Sequence, residues 1–301
     1  MDLLRDRAAA LLAAAEPAAV VEVVQALGSV PRGCGTRMLV LPDATAGTIG
    51  GGHLEWQAIA RARALLQQAE ARPGTQHYPL GPALGQCCGG AVTLRFDRLD
   101  AAVLVRWPER APRFHLQLHG AGHVGRAIAR ALAPLDATVD WIDERETGFT
   151  SRVDDADAAS EAAWPAHVRR LTTDACEAEV GTAPPGAFYL VLTHRHDLDL
   201  RIADAILRRG DFGFFGLIGS RTKRARFVAR LSERGHAPER IARMTCPIGL
   251  PGIDGKEPAV IAAAVVAQLL LVAGAMAPGA RDAATSLSAA SGRAPRPSSR
   301  A

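Results

Sequence analysis

The stretch that decides the fold begins Phe114-His-Leu-Gln-Leu-His-Gly120-Ala-Gly122-His123-Val-Gly125 and continues, after a helix-compatible segment, to Thr138-Val-Asp-Trp-Ile-Asp143. An apolar strand, Phe114–Leu118, opens onto Gly-x-Gly-x-x-Gly. A helix follows, then a second apolar strand, Thr138–Ile142, with Asp143 standing 18 residues beyond the last glycine. Strand, turn, helix and strand in that order give the glycine pattern its meaning. The glycines permit a tight turn and a close backbone approach to an anion. The helix N-terminus supplies N–H donors and partial positive charge. The pattern fixes a dinucleotide-binding type of fold and leaves three ligand states open: a dinucleotide, another phosphate-bearing molecule, or none.

Downstream the alternation continues. Ala187–Leu192 and Phe212–Ile218 read as strands with helices after them, and a weak strand surrounds Val168. Such alternation predicts a parallel sheet covered on both faces. Upstream the character is mixed: helix Leu3–Ala15, strands at Ala18–Ala26, Met38–Leu41, Thr75–Leu80, Ala91–Phe96 and Ala101–Val105, and a helix over Leu54–Gln68. The expected class is α/β: a C-terminal Rossmann-like, doubly wound parallel sheet plus a smaller α+β N-terminal domain. The expected boundaries are residues 1–106, a linker at 107–113, the Rossmann-like domain at 114–277, and a disordered Ala/Ser/Pro/Arg tail at 278–301.

The 301 residues are 48% hydrophobic, ample for two cores. The formal net charge is +4, but Arg281, Arg293, Arg296 and Arg300 face only Asp282 in the tail, so most of the excess lies there. The folded body is close to neutral, which argues against nucleic-acid binding. Five cysteines, two of them adjacent, suit reduced thiols in a cytoplasmic protein better than a disulfide framework. The N-terminus lacks a signal-peptide plan. Pro258–Pro278 is long and apolar enough for a membrane span. It is mostly Ala and Val and follows a soluble-looking loop, so a buried helix on the sheet is expected and no membrane association.

Several loops can carry chemistry. Thr193-His194-Arg195-His196-Asp197-Leu-Asp199 and Gly219-Ser220-Arg221-Thr222-Lys223 fall at strand ends, where α/β sheets place ligands. The second can cap its helix through Ser220 and offer Lys223 to a phosphate. Lys223 and Lys256 are the only lysines, against 33 arginines. His194 and His196 with Asp197 suit hydrogen-bond or acid–base recognition of a ligand better than a metal, since no further metal ligand is evident. Upstream, Gly50-Gly51-Gly52-His53 precedes a helix and can cradle an anion. Gln86-Cys87-Cys88-Gly89-Gly90 offers two soft sulfur donors in a loop of unusual backbone freedom, and Cys34 lies in a further glycine-rich loop. Cys176 and Cys246 read as structural.

Taken together, Gly47-Thr-Ile-Gly-Gly-Gly-His-Leu-Glu55, Leu84-Gly-Gln-Cys-Cys-Gly-Gly90, Gly120-Ala-Gly-His-Val-Gly125, Gly216-Leu-Ile-Gly-Ser220 and Cys246-Pro-Ile-Gly249 with Gly255-Lys-Glu-Pro258 closely resemble the XdhC/CoxI family over roughly Leu11 to Leu271. These are accessory proteins of xanthine dehydrogenase and related molybdenum hydroxylases. The resemblance implies a chaperone without turnover. It would hold the molybdenum cofactor while a cysteine desulfurase adds its terminal sulfur, then pass it to the apo-dehydrogenase's molybdenum-binding subunit. On that footing Cys87 and Cys88 are candidate molybdenum contacts. Gln86, Gly89, Gly90, Gly50–His53, Gly120, Gly122, His123, Gly125, Asp143, His194, His196, Asp197, Ser220 and Lys223 are candidate cofactor contacts, and a homodimer is expected. The competing readings are an NAD-dependent oxidoreductase, in which Asp143 would bind a ribose 2′-hydroxyl, and an interaction scaffold, which leaves the glycine loops unexplained.

Overall fold

The computed structural model describes residues 3–68, 70, 72–80, 89–109, 111–149 and 164–276. Gln86, Cys87, Cys88 and the 278–301 tail lie outside them. The chain divides into two compact units, Met1–Ala111 and Pro112–Ala301.

The first unit is built on an antiparallel sheet of β1 (Ala19–Leu27), β2 (Arg37–Val40), β3 (Thr45–Gly47), β4 (Gly74–Pro79) and β5 (Ala91–Arg98), in the order β3-β2-β1-β5-β4. Alternation along each strand sorts residues to two faces. Val21, Val23, Met38 and Leu94 pack with Leu54, Ala58, Ala62 and Leu65 of α2 (Gly52–Gln67). Val20 and Leu39 face the other way, onto Ala8 and Leu11 of α1 (Leu3–Ala13) and Val103 of α3 (Ala101–Arg106).

Helix α3 corrects an expectation, since the sequence reads there as a strand. Asp100 accepts the Val103 N–H at 2.7 Å, an N-cap that starts a helix. Val105, which a strand would have paired, is 85% exposed. Trp107, taken as the start of a linker, instead belongs to this unit's core. Its carbonyl accepts from Arg5 at 3.0 Å, and the Arg37 guanidinium lies 5.0 Å over its ring.

The second unit carries a parallel sheet of β6 (His115–His119), β7 (Thr138–Asp143), β8 (Val168–Thr172), β9 (Phe188–Val191), β10 (Phe214–Leu217) and β11 (Met244–Thr245), ordered β11-β10-β9-β6-β7-β8. Strand order reverses between β6 and β9, the place where doubly wound sheets open a ligand crevice. One face is covered by α4 (His123–Leu132) and α8 (Pro258–Met276), through Ile128, Leu132, Val265 and Leu269. The other is covered by α5 (His196–Arg209), α6 (Arg221–Glu233) and α7 (Pro238–Ala242), through Ile202, Ile206, Phe227, Leu231 and Ile241. The expected doubly wound α/β unit beside an α+β unit is therefore what the chain adopts.

Helix α8 has the length and apolarity of a membrane span, yet Ala262, Val265, Val266, Leu269 and Ala273 are embedded in this core. The expected burial holds for that face only: Leu271 is 62% and Met276 54% exposed.

Candidate functional site

The glycine turn after β6 is shaped by close backbone packing. A Cβ on Gly120, whose φ is +124°, would sit 2.4 Å from the Leu192 carbonyl oxygen, and one on Gly125 would sit 2.0 Å from the Gly120 oxygen. No larger residue fits either position without moving backbone. Trp141 Nε1 donates to the Gly120 carbonyl at 3.0 Å and fixes the turn from below. Helix α4 then starts at Gly122, whose lack of a side chain leaves the first turn without a side-chain cap.

Asp143 ends β7 beside this turn. Its carboxylate accepts the Ala121 N–H at 2.6 Å, the Arg145 N–H at 2.9 Å and the Arg145 guanidinium at 2.9 and 3.2 Å. Burial alone would raise this carboxyl, but the Arg145 hydrogen bond, the Ala121 and Arg145 N–H groups and the Arg145 charge together hold it below the usual range. Asp143 is thus an internal brace that carries Arg145. Next to it lies a cavity of about 390 Å³ lined by Ala121, Gly122, His123, Arg126, Arg145, Thr147 and Gly148. Arg126 is buried, donates to the Gly148 carbonyl at 2.9 Å, and lies 5.7 Å over the Trp141 ring. An uncapped helix N-terminus between two guanidiniums is an arrangement for a phosphate or another anion. Neither arginine stood among the sequence candidates. The available signals were Arg directly after the third glycine and Arg two residues after Asp143.

A second cavity, of about 520 Å³, lies at the ends of β9 and β10. Among its lining residues are His194, His196, Ser220 and Lys223. The two histidines and the Gly219–Lys223 turn, singled out separately in the sequence, thus come together. Ser220 accepts the Lys223 N–H at 3.2 Å and caps α6, as its position predicts. Asp199, fully buried, accepts from Lys223 Nζ at 2.7 Å, from the Thr193 N–H at 3.0 Å and from the Thr193 hydroxyl at 2.7 Å. Asp197 does not line this cavity. It is exposed and pairs with Arg195 at 2.6 Å and Arg201 at 3.3 Å. Among the described residues no group of three or more His, Cys, Asp or Glu side chains is arranged to hold a metal.

In the first unit, Gly50 and Gly51 lead into α2, which Gly52 opens, with His53 exposed in the first helical turn. The expected anion cradle already contains an anion. The Glu55 carboxylate accepts the Ile49 and Gly51 N–H groups at 3.0 and 3.1 Å and the Thr48 hydroxyl. Pro31 packs on Gly50, and Ser29 packs on Gly90, so the 28–36 loop meets both glycine segments. Cys34 in that loop is exposed, whereas Cys176 and Cys246 are buried. Burial raises both buried thiols, Cys176 to about 11 with help from the charges of Asp143, Glu144 and Glu177. Glu55→Ala is expected to lower stability by about 2 kcal/mol, because two N–H donors and a hydroxyl lose a charged acceptor. Urea denaturation measures it, and a change below about 0.5 kcal/mol would show that solvent replaces the carboxylate without loss.

Comparison with known proteins follows this geometry. Residues 116–269 match the family described as the XdhC Rossmann domain, and residues 11–79 match the one described as the XdhC and CoxI family. YqeB, an uncharacterized protein of Escherichia coli (strain K12), is 32% identical over 263 residues, which are 85% of this chain and 43% of that protein. The chain therefore spans less than half the length of this relative. A crystal structure of a xanthine dehydrogenase from Bacillus halodurans has the same fold, with a TM-score of 0.67 at 18% identity over 92% of this chain and 98% of that one.

Proposed function

The chain belongs to the XdhC and CoxI family, and from that membership we propose that it is a maturation factor for a xanthine dehydrogenase-type molybdenum hydroxylase. In this reading it binds the molybdenum cofactor, keeps it during sulfuration by a cysteine desulfurase, hands it to the apo-dehydrogenase, and turns over no substrate. A cytoplasmic homodimer is part of the proposal.

The observation that carries the cofactor reading is the cavity at the start of α4. The cofactor ends in a phosphate monoester. A helix start without a side-chain cap, flanked by the buried Arg126 and by Arg145, supplies donors and charge for a dianion. Arg126, Arg145 and the Gly122–His123 backbone would hold that phosphate. Cys87 and Cys88 are proposed soft donors to the metal on the chemistry of their sequence alone. The bound group supplies redox chemistry only after delivery to the dehydrogenase. An NAD-dependent oxidoreductase is less well supported: the carboxylate that would read the ribose hydroxyls is committed to Ala121 and Arg145.

The test is anaerobic incubation with cofactor released from a donor enzyme, ultrafiltration, and assay of retained pterin and molybdenum. Stoichiometric retention is expected. In Arg145→Ala, affinity should fall about tenfold to a hundredfold, because one charge-assisted contact is lost and Asp143 is left uncompensated near the phosphate. No retention by the wild-type chain, with NADH bound instead, would replace this proposal by the oxidoreductase.

A further inference from the structure

The cavity of about 520 Å³ beside α6 has a composition that ordinary surface chemistry does not explain. Lys223, Arg226 and Arg230 stand three and four residues apart, so they share one face of the helix. All three line the cavity, His194 and His196 join them, and none of the lining residues is acidic. Two neighbouring carboxylates each face one lining residue, Asp199 facing Lys223 and Glu144 facing His194, which leaves Arg226 and Arg230 without an acidic partner among the described residues. Asp199 is buried against Lys223 and Thr193, Glu144 lies 3.4 Å from His194 and 3.3 Å from Arg195, and Asp197 pairs with Arg195 and Arg201. Like charges at helical spacing destabilise a helix by a few tenths of a kcal/mol per pair, roughly. Placed around a concavity, the same charges raise the local concentration of anions.

Lys223 sharpens the point. In a chain of 33 arginines and two lysines, a lysine faces Asp199. An arginine there would commit its planar fork to the carboxylate. An ammonium gives Asp199 one of its three hydrogens and keeps two for something else. Its stem lies against Gly219, where a Cβ would come within 2.6 Å of Lys223 Cδ, and its Nζ lies 5.4 Å from the Phe227 ring centroid. The charge is therefore positioned before any ligand arrives. Ile218 and Phe227 add an apolar wall, and the volume suits a mononucleotide-sized molecule.

We propose that this cavity is a second ligand site, separate from the one at α4, for a small organic phosphate. Lys223, Arg226 and Arg230 take the phosphate, and the Ile218 and Phe227 wall takes an apolar or planar body. The proposal does not rest on the cofactor reading, since a different cavity carries that.

Titration calorimetry of the full chain at low salt, with adenosine 5′-monophosphate, inorganic phosphate and adenosine as probes, tests it. The monophosphate should bind, and more tightly than either fragment. Arg226→Ala/Arg230→Ala, which alters two exposed side chains, should weaken it by at least about tenfold. Arg145→Ala should leave it within about twofold, as expected for sites that share no contacts. Inorganic phosphate bound as tightly as the monophosphate would reduce the site to an anion hole and overturn the organic-ligand assignment. No binding by the wild-type chain, or binding lost in Arg145→Ala but kept in the double variant, would overturn the site itself and leave the cofactor reading standing.

Discussion

Asp199→Ala is expected to remove about 3–5 kcal/mol of folding stability, which is the typical effect of breaking a buried ion pair from one side. Asp199 has no exposed surface, and the Lys223 side chain is 13% exposed. Truncation strands the ammonium without the carboxylate it pairs with among the described residues. It also strands the Thr193 N–H, which Asp199 accepts, while the Thr193 hydroxyl keeps the Arg195 carbonyl at 2.9 Å as an acceptor. Each loss is a desolvation penalty without a partner, and the two act on one carboxylate, so they do not simply add. Urea denaturation should show a lower midpoint with an unchanged slope. The companion variant Asp199→Leu/Lys223→Met separates architecture from function. Replacing both charges by apolar groups should recover most of the stability, since buried pairs rarely exceed a hydrophobic substitute. The recovered protein should still lack the positioned ammonium beside α6. A loss below about 1 kcal/mol in Asp199→Ala would mean that Lys223 reaches solvent in solution and is not held by this pair.

The sequence carried the fold because its signals were local and mutually consistent. The strand before Gly120, the glycine spacing and the apolar Thr138–Ile142 strand each specify the same unit. Reading failed where local and tertiary effects part. Ala101–Val105 is apolar and short, so only the Asp100 cap distinguishes helix from strand. The β3 and β11 strands are three and two residues long, too short for any period to register. The Gly50–Gly52 loop reads as an anion cradle on its glycines alone. The same motif holds its own anion at Glu55, and a carboxylate so close to a helix start was a readable sign of internal satisfaction. The candidate site was legible in its loops but not in its charges. Arg126, Arg145, Arg226 and Arg230 were hidden among 33 arginines, and only the fold shows which of them line cavities.

His119 governs the second large effect, on acid stability. It is the last residue of β6, between Ile142 and Val191 in the sheet. It is fully buried, and neither ring nitrogen has a hydrogen-bond partner among the described residues. Burial lowers its pKa from 6.5 to about 3, against a smaller opposing pull from the Asp140 charge. In the unfolded chain the same imidazole titrates near 6.5. Between those values the unfolded state binds a proton that the folded state refuses, so stability falls as pH drops from about 6.5 towards 3 and is unaffected by this group above 6.5. From pH 6.5 to 4.5 the loss should be about 2 kcal/mol, at roughly 1.4 kcal/mol per unit once the unfolded histidine is charged. Carboxylates held low in the fold, such as Asp140, Asp143 and Asp204, act at lower pH, because their contribution fades only as pH falls through and below about 4. His119→Phe should flatten the slope between pH 6.5 and 4.5. At neutral pH it should match or exceed the wild type, since two buried polar atoms without partners disappear. Equal slopes for the two proteins in urea denaturation from pH 7.5 to 4.5 would mean that the ring is protonated in the folded state through a partner such as Asp140.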